Sequence, residues 1–474
     1  MIKPHLSFLE RSQCDRIHQA ALKILRRTGV RVFHEEALRL LGDADCVVRE
    51  ENLVHIPPAL VEWALQQPPS RVALCRRGSS EISAALQERT VNFGPGSDCP
   101  NFLDPRTGEH RPFTLADMRA VLQLADSLPE LSFLMSTGIP SDYPSNTYRK
   151  QFATAIQYCQ KPIVFVCDDG EDCRHIVAAA AAVAGGEERL RLNPTLLLYS
   201  EPTTPLQQGR TALEKLLVMA ETGIPVVHSP APMMGGTAPI TIAGGLALGA
   251  AEVLSGLVIH QLKRAGSPFV FGSGLHHLDM RTSISVYGAP EFQLARLAVA
   301  DLGRYYELPT WGYAGHSDSC LFDEQAAADA VFSTLVALQS GTNLVHDVGY
   351  LEAGLTNSPE MIVFTCEMIG MLARFQEGFT IDEENLALKV IHRVGPGGNF
   401  LTEDHTIEHF REYWQPTLFT RQRFDTWTAE GTKTLGRRVR EKTVALMEQA
   451  GGAPLEDSLA DEVDYILGIE STKP

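Results

Sequence analysis

The chain has 474 residues, 44% of them hydrophobic, enough to bury a large core without disulfides or structural metals. It carries 58 acidic against 41 basic residues, a formal charge of −17, and shows no clustered basic run, which excludes nucleic acid as the main ligand. Nine cysteines are scattered without a CxxC pair and read as the reduced thiols of a cytoplasmic protein.

The N-terminus opens with Lys3, His5, Glu10, Arg11, Asp15 and Arg16, charges that interrupt any apolar leader core. Ile17, Ala20, Ala21, Ile24 and Leu25 then recur at helical spacing, and Gly29, Val30 and Val32 predict a strand. Another helix begins at Glu36, and Pro57-Pro58 opens one that Pro68-Pro69 stops. Residues 1–88 therefore read as a mainly helical cap.

From about residue 89 short apolar segments alternate with helices. The expected strands are 90–94, 131–137, 162–167, 195–199, 225–228, 268–272, 309–313 and 343–347, with helices starting near Leu115, Asn146, Cys173, Leu206, Ala243, Ala289, Asp323 and Pro359. Eight such pairs without hairpin signals predict an α/β fold of the (β/α)8 TIM barrel type over residues 89–377. A doubly wound open sheet gives the same alternation, but the strand count and the lack of a GxGxxG turn favour closure. The alanine-rich run 176–186 is too short to cross a bilayer, so no membrane segment is expected. Beyond residue 377 the reading is a C-terminal helical segment, 378–474, packed on the barrel and entered through Gly395-Pro-Gly-Gly.

Reactive groups of a parallel barrel lie at the strand C-terminal ends, which here offer a short set of side chains. They include Phe93, Ser97, Asp98, Asp168, Tyr199, Glu201, His228, His276, Trp311, Tyr313, His316, His346, Asp347, Tyr350 and Glu352. Trp311 and Tyr313 are two apart and share one face of an extended strand. With Phe93, Tyr199 and Tyr350 they suggest a cage for a quaternary ammonium, each ring contributing about 0.5–2 kcal/mol. The same aromatics also serve as plain filling for the barrel top. His346 is the polar group singled out for substrate contact, against the alternative of a satisfied core histidine. Asp347 and Glu352 are candidate counter-ions for a cation. His276-His277 with Asp279, and His405 with His409, have ligand-like spacing but lack a third ligand, so no metal site is expected. The chain has no P-loop, no GxSxG elbow and no DxHxxG corrinoid-binding run.

Gly395-Pro-Gly-Gly-Asn-Phe-Leu-Thr followed by His405, His409, Arg411, Trp414, Pro416, Arg421 and Trp427 resembles the closing signature of the trimethylamine methyltransferase family. The resemblance extends to Asp104-Pro-Arg-Thr-Gly-Glu ahead of Thr114 and Asp117, to Gly315-His-Ser-Asp-Ser with Asp323-Glu-Gln, and to Gly341 through Ser358, which includes the run around His346. It implies methyl transfer from a methylated amine to the cobalt of a separate corrinoid protein. The cobalamin would be carried by that partner, with none bound by this chain. Well-known family members carry pyrrolysine; none is written here, and the 315–318 loop is the region where it would fall. The chain thus resembles the non-pyrrolysine branch, which implies a quaternary amine such as glycine betaine, with His346, Tyr350, Trp311, Tyr313, Phe93, Tyr199 and His316 as substrate-binding residues and no assigned catalytic side chain. Two other readings stand beside it: acid–base chemistry on a small anionic substrate, and a non-catalytic betaine-binding protein. A homo-oligomer and a monomer are both open.

Overall fold

From Asn92 onward short strands alternate with helices, and the computed structural model describes residues 4–96 and 98–470. Ser97 lies outside the described residues. Seven of the eight expected segments are parallel strands: Asn92–Pro95, Ile163–Phe165, Leu196–Ser200, Val226–His228, Phe269–Phe271, Trp311–Tyr313 and Leu344–Val348. They form two sheets, one of the third to sixth segments and one of the seventh, eighth and first. The second segment, 131–137, is not a strand. It makes single parallel bridges, Phe93 to Leu131 and Leu134 to Ile163, and Phe271 bridges Thr310 across the other junction. Thr137, at φ +63°, turns the second segment out of extended geometry and ends its pairing.

The helices start where local chemistry sets them. The Asp169 carboxylate accepts from the Glu171 and Asp172 amides at 2.9 and 3.0 Å and caps Gly170–Ala184. Thr114 and Asp117 form a capping box at Leu115–Ser127, and Asp323 and Ser358 cap Glu324–Ser340 and Pro359–Glu377. Ile242–Lys263 is long and apolar enough to cross a membrane, a feature the sequence reading passed over; in the protein most of it is buried against its neighbours.

Inward side chains of the second to eighth segments meet in one cluster: Phe133, Val164, Leu197, Val227, Val270, Trp311 and Leu344 among them. A hairpin of Val72–Cys75 and Ile82–Leu86 plugs it with Val72, Leu74, Ala84 and Leu86. The N-terminal region is thus richer in strand than expected. It holds three α-helices and five short strands before residue 88, because its apolar residues come in runs too short to make helix alone.

Of the C-terminal segment, Leu435–Gln449 is tied to the helix Pro359–Glu377 by Arg440 Nε to Glu360 at 2.9 Å. Asp457–Leu467 is tied by Gln157 Nε2 to Asp464 at 2.7 Å. Residues 378–434 contribute a single buried side chain, Leu418.

Candidate functional site

The seventh and eighth strands lie parallel with Tyr313 opposite His346. The two-residue period sends Trp311 and Tyr313 to one face, and the His346 ring slots between them, 4.5 Å from each centroid. Tyr199, at the end of the fourth strand, completes the group at 5.6 Å from Trp311 and 6.0 Å from His346. Trp311 is fully buried, so the space expected to take a cation between Trp311 and Tyr313 is filled by His346. Of these four side chains Tyr199 is the one that is only partly buried.

Asp347 joins His346 through an irregularity. In an unbroken strand consecutive side chains point to opposite faces. Here the pairing with the first strand shifts register between Val345 and Val348, and Asp347 takes φ +80°. Its carboxylate comes to 2.9 Å from His346 Nδ1 and 3.4 Å from His316 Nδ1. Neither contact has hydrogen-bond alignment. Burial alone would raise the Asp347 pKa; the two imidazoles outweigh it and hold it at about 2. Asp347 is therefore committed to the histidines and is not a free counter-ion. Glu352 is likewise engaged, by His110 at 3.2 Å and by the Thr356 hydroxyl at 2.5 Å.

Two other carboxyls stand open at the strand ends. Glu201, one residue past the fourth strand, is exposed to solvent. It accepts from the Tyr199 hydroxyl at 3.1 Å. Desolvation by the protein around it pushes its pKa up to about 7, against the pull of Tyr199 and Lys215. Asp98, at φ +59°, accepts from Ser136 Oγ at 2.9 Å and from Tyr148; burial pushes it up to about 6. Asp98 and Glu201 repel each other's charge. The nearby cation, Lys215, is buried and donates to the Cys167 carbonyl at 2.9 Å. Sequence reasoning placed Asp98 and Glu201 at strand ends without choosing them; their position there was the available signal.

The structure thus brings together Tyr199, Trp311, Tyr313, His346 and, through Asp347, His316. It separates Phe93, whose side chain packs into the cluster shared with the helical layer while its neighbour Gly94 faces Phe133. A four-residue strand allows either face, and the sequence reading had turned it inward. Tyr350 stands beside the first strand end against Gly96, where a Cβ would fall 2.0 Å from its ring. The 315–318 loop holds His316 edge-on to Phe292 at 5.3 Å. His228 bonds Gln208 at 3.0 Å and Ser200 at 3.3 Å, and burial lowers its pKa to about 3. His276 Nδ1 is 2.7 Å from the Gly274 carbonyl, and the His405 and His409 rings lie 4.4 Å apart at a tilt of 41° in the C-terminal segment. Among the described residues no group of three or more His, Cys, Asp or Glu side chains is arranged to hold a metal. A cleft of about 850 Å3 lined by Arg174, Arg191, Arg264, Glu187, Glu188 and Glu221 lies on the outer helices and shares no residue with this site.

Fold and site define an α/β protein with a cluster of close-packed aromatic and imidazole rings at the ends of parallel strands, flanked by carboxyls. The chain belongs to the trimethylamine methyltransferase family, whose model matches residues 2–467. It is 32% identical over 455 residues to the trimethylamine methyltransferase MttB of Desulfitobacterium hafniense strain DSM 10664 / DCB-2, covering 95% of this chain and 91% of that one. It is 32% identical over 438 residues to the glycine betaine methyltransferase of Desulfitobacterium hafniense strain Y51, covering 92% and 91%. Among solved structures it is similar to the monomethylamine methyltransferase MtmB of Methanosarcina barkeri, with a TM-score of 0.54, 12% identity and coverage of 94% and 89%. That likeness is one of fold.

Proposed function

We propose that the protein moves a methyl group from a quaternary amine, glycine betaine or a close analogue, to Co(I) of a cobalamin carried by a separate corrinoid protein. The observation that carries the reading is the partly buried Tyr199, hydrogen-bonded to the exposed Glu201 and set beside the buried His346 ring. A quaternary ammonium has no N–H to donate, so ring faces and carboxylate charge are what hold it. The name of the Desulfitobacterium glycine betaine methyltransferase supports the substrate class.

The corrinoid enters as a second substrate, the methyl acceptor presented at the strand C-terminal ends. The C–N bond breaks, its electron pair returns to nitrogen, and a neutral tertiary amine departs. No proton moves, so a general acid is not required. Charge on nitrogen falls as the bond breaks, and a tight ion pair would favour the ground state; the chain's contribution is therefore chiefly alignment of the methyl carbon. His346, held by Trp311, Tyr313 and Asp347, fixes the floor against which the amine is placed.

The eight parallel segments read, within the same proposal, as a closed (β/α)8 barrel. Support comes from the single bridges at Leu131, Leu134 and Thr310, which stand at the junctions between the two sheets. A cytoplasmic location accords with nine free cysteines. Acid–base chemistry on a small anion draws on the near-neutral pKa values of Asp98 and Glu201. Carboxyls flanking the ring cluster oppose an anion, which leaves that reading second.

Titration calorimetry with glycine betaine and with its uncharged-head isostere, 3,3-dimethylbutanoate, tests the proposal. Glycine betaine should bind at least about tenfold more tightly, the equivalent of 1.4 kcal/mol. Equal affinity would remove cation recognition from the account.

A further inference from the structure

Resting on the quaternary amine reading above, we infer that Arg296 binds the carboxylate of the substrate and so restricts the protein to quaternary amines that carry one. Arg296 stands on the helix Pro290–Tyr305, which leads from the sixth strand to the seventh, and it is 5% exposed. Its guanidinium carbon lies 4.8 Å from the centroid of Tyr313, the ring whose centroid is 4.5 Å from that of His346. The guanidinium and the imidazole against which the amine is placed therefore share a neighbour. Phe292 lies 4.5 Å from the same guanidinium and stacks at 5.1 Å on Tyr287, so one ring separates the cation from a side chain that is only partly buried.

What this cation lacks is a counter-ion. Nη1 and Nη2 donate to the Ser273 and Leu275 carbonyls, which uses two of the five N–H groups of an arginine. Nε is buried without an acceptor, as is Trp311 Nε1 on the strand face that carries Tyr313. Burial lowers the Arg296 pKa to about 10, so the group is charged at neutral pH. The carboxylate whose charge reaches it is Asp347, and that group is turned to His346 and His316 at 2.9 and 3.4 Å. Among the described residues none forms an ion pair with Arg296. Tying its helix to the 273–275 turn needs hydrogen bonds but no charge, and a buried charge met by neutral acceptors alone is costly. An incoming carboxylate supplies the missing charge and accepts from the free N–H groups. Lys215 is the other buried cation near the strand ends, but its charge already acts on Asp98, Asp168 and Glu201.

Such a contact also suits the reaction. The nitrogen loses its charge during transfer, whereas the carboxylate keeps its own. Arg296 would thus hold substrate and transition state alike, placing the methyl carbon without favouring the ground state.

Calorimetry of the full chain with glycine betaine and with choline, in which a hydroxymethyl group replaces the carboxylate, is the test. The wild type should bind glycine betaine at least about tenfold more tightly, and Arg296→Gln should bind the two alike by losing affinity for glycine betaine. Equal affinities in the wild type, or a folded Arg296→Gln that keeps the preference or loses choline as well, overturn the inference and leave the quaternary amine reading standing. A wild type that binds neither ligand contradicts that reading and the inference with it. Should Arg296→Gln not fold, a crystal structure of the wild type with glycine betaine decides. A carboxylate oxygen within about 3.2 Å of an Arg296 nitrogen supports the contact; a carboxylate placed elsewhere overturns it.

Discussion

His346 is held on four sides: Trp311 and Tyr313 at 4.5 Å, Tyr199 at 6.0 Å and the Asp347 carboxylate at 2.9 Å from Nδ1. These neighbours divide into framework and contact groups, and substitution should tell them apart. Trp311 is fully buried, so Trp311→Ala should cost about 3–5 kcal/mol of stability, measured by denaturant unfolding. Tyr199 is only partly buried, so Tyr199→Leu should leave the unfolding midpoint nearly unchanged and weaken quaternary amine binding by about 1–2 kcal/mol in calorimetry. The reverse pattern would exchange their roles. Glu201 adds a pH signature. Its pKa is raised to about 7, so it is mostly neutral below that value and ionised above it. A cation favours the ionised form, and affinity should therefore rise as pH increases from about 6 to 8. Glu201→Gln should flatten that rise; a variant with the wild-type profile would assign the titration to another group.

At the scale of elements, what could be read in the sequence follows from how local each signal is. The helix starts expected near Asp323 and Pro359 fall on the caps Asp323 and Ser358, whereas the helix capped by Asp169 begins at Gly170, ahead of the expected start at Cys173. Strands were legible as apolar runs, except 131–137, whose pairing fails over its length. The facing of Phe93 and the bulge that turns Asp347 toward His346 depend on partners hundreds of residues away, and periodicity does not carry them. The raised pKa of Glu201 and of Asp98 is likewise a property of their surroundings. The hairpin 72–86 was missed because small Ala and Ser residues weaken its alternation, yet it seals the inner cluster. Leu74 is fully buried there, so Leu74→Ala should lower stability by about 2–5 kcal/mol while amine binding, measured well below the melting temperature, stays as in wild type. Loss of binding with little loss of stability would place the hairpin in the site.

Across the whole molecule the two ends of the strand assembly differ. The strand C-terminal ends carry Tyr199, Glu201 and Asp98; the start of the eighth strand lies near Gln339, whose carbonyl accepts from the Leu6 amide of the N-terminal arm. The central claim is methyl transfer from a quaternary amine, and it is tested most directly by incubating the protein with glycine betaine, with and without cob(I)alamin, and quantifying methylcobalamin and dimethylglycine. The account predicts that both products form in equal amounts and only when cob(I)alamin is present. Dimethylglycine formed without it, or no methylcobalamin from glycine betaine, proline betaine or carnitine, would contradict the account.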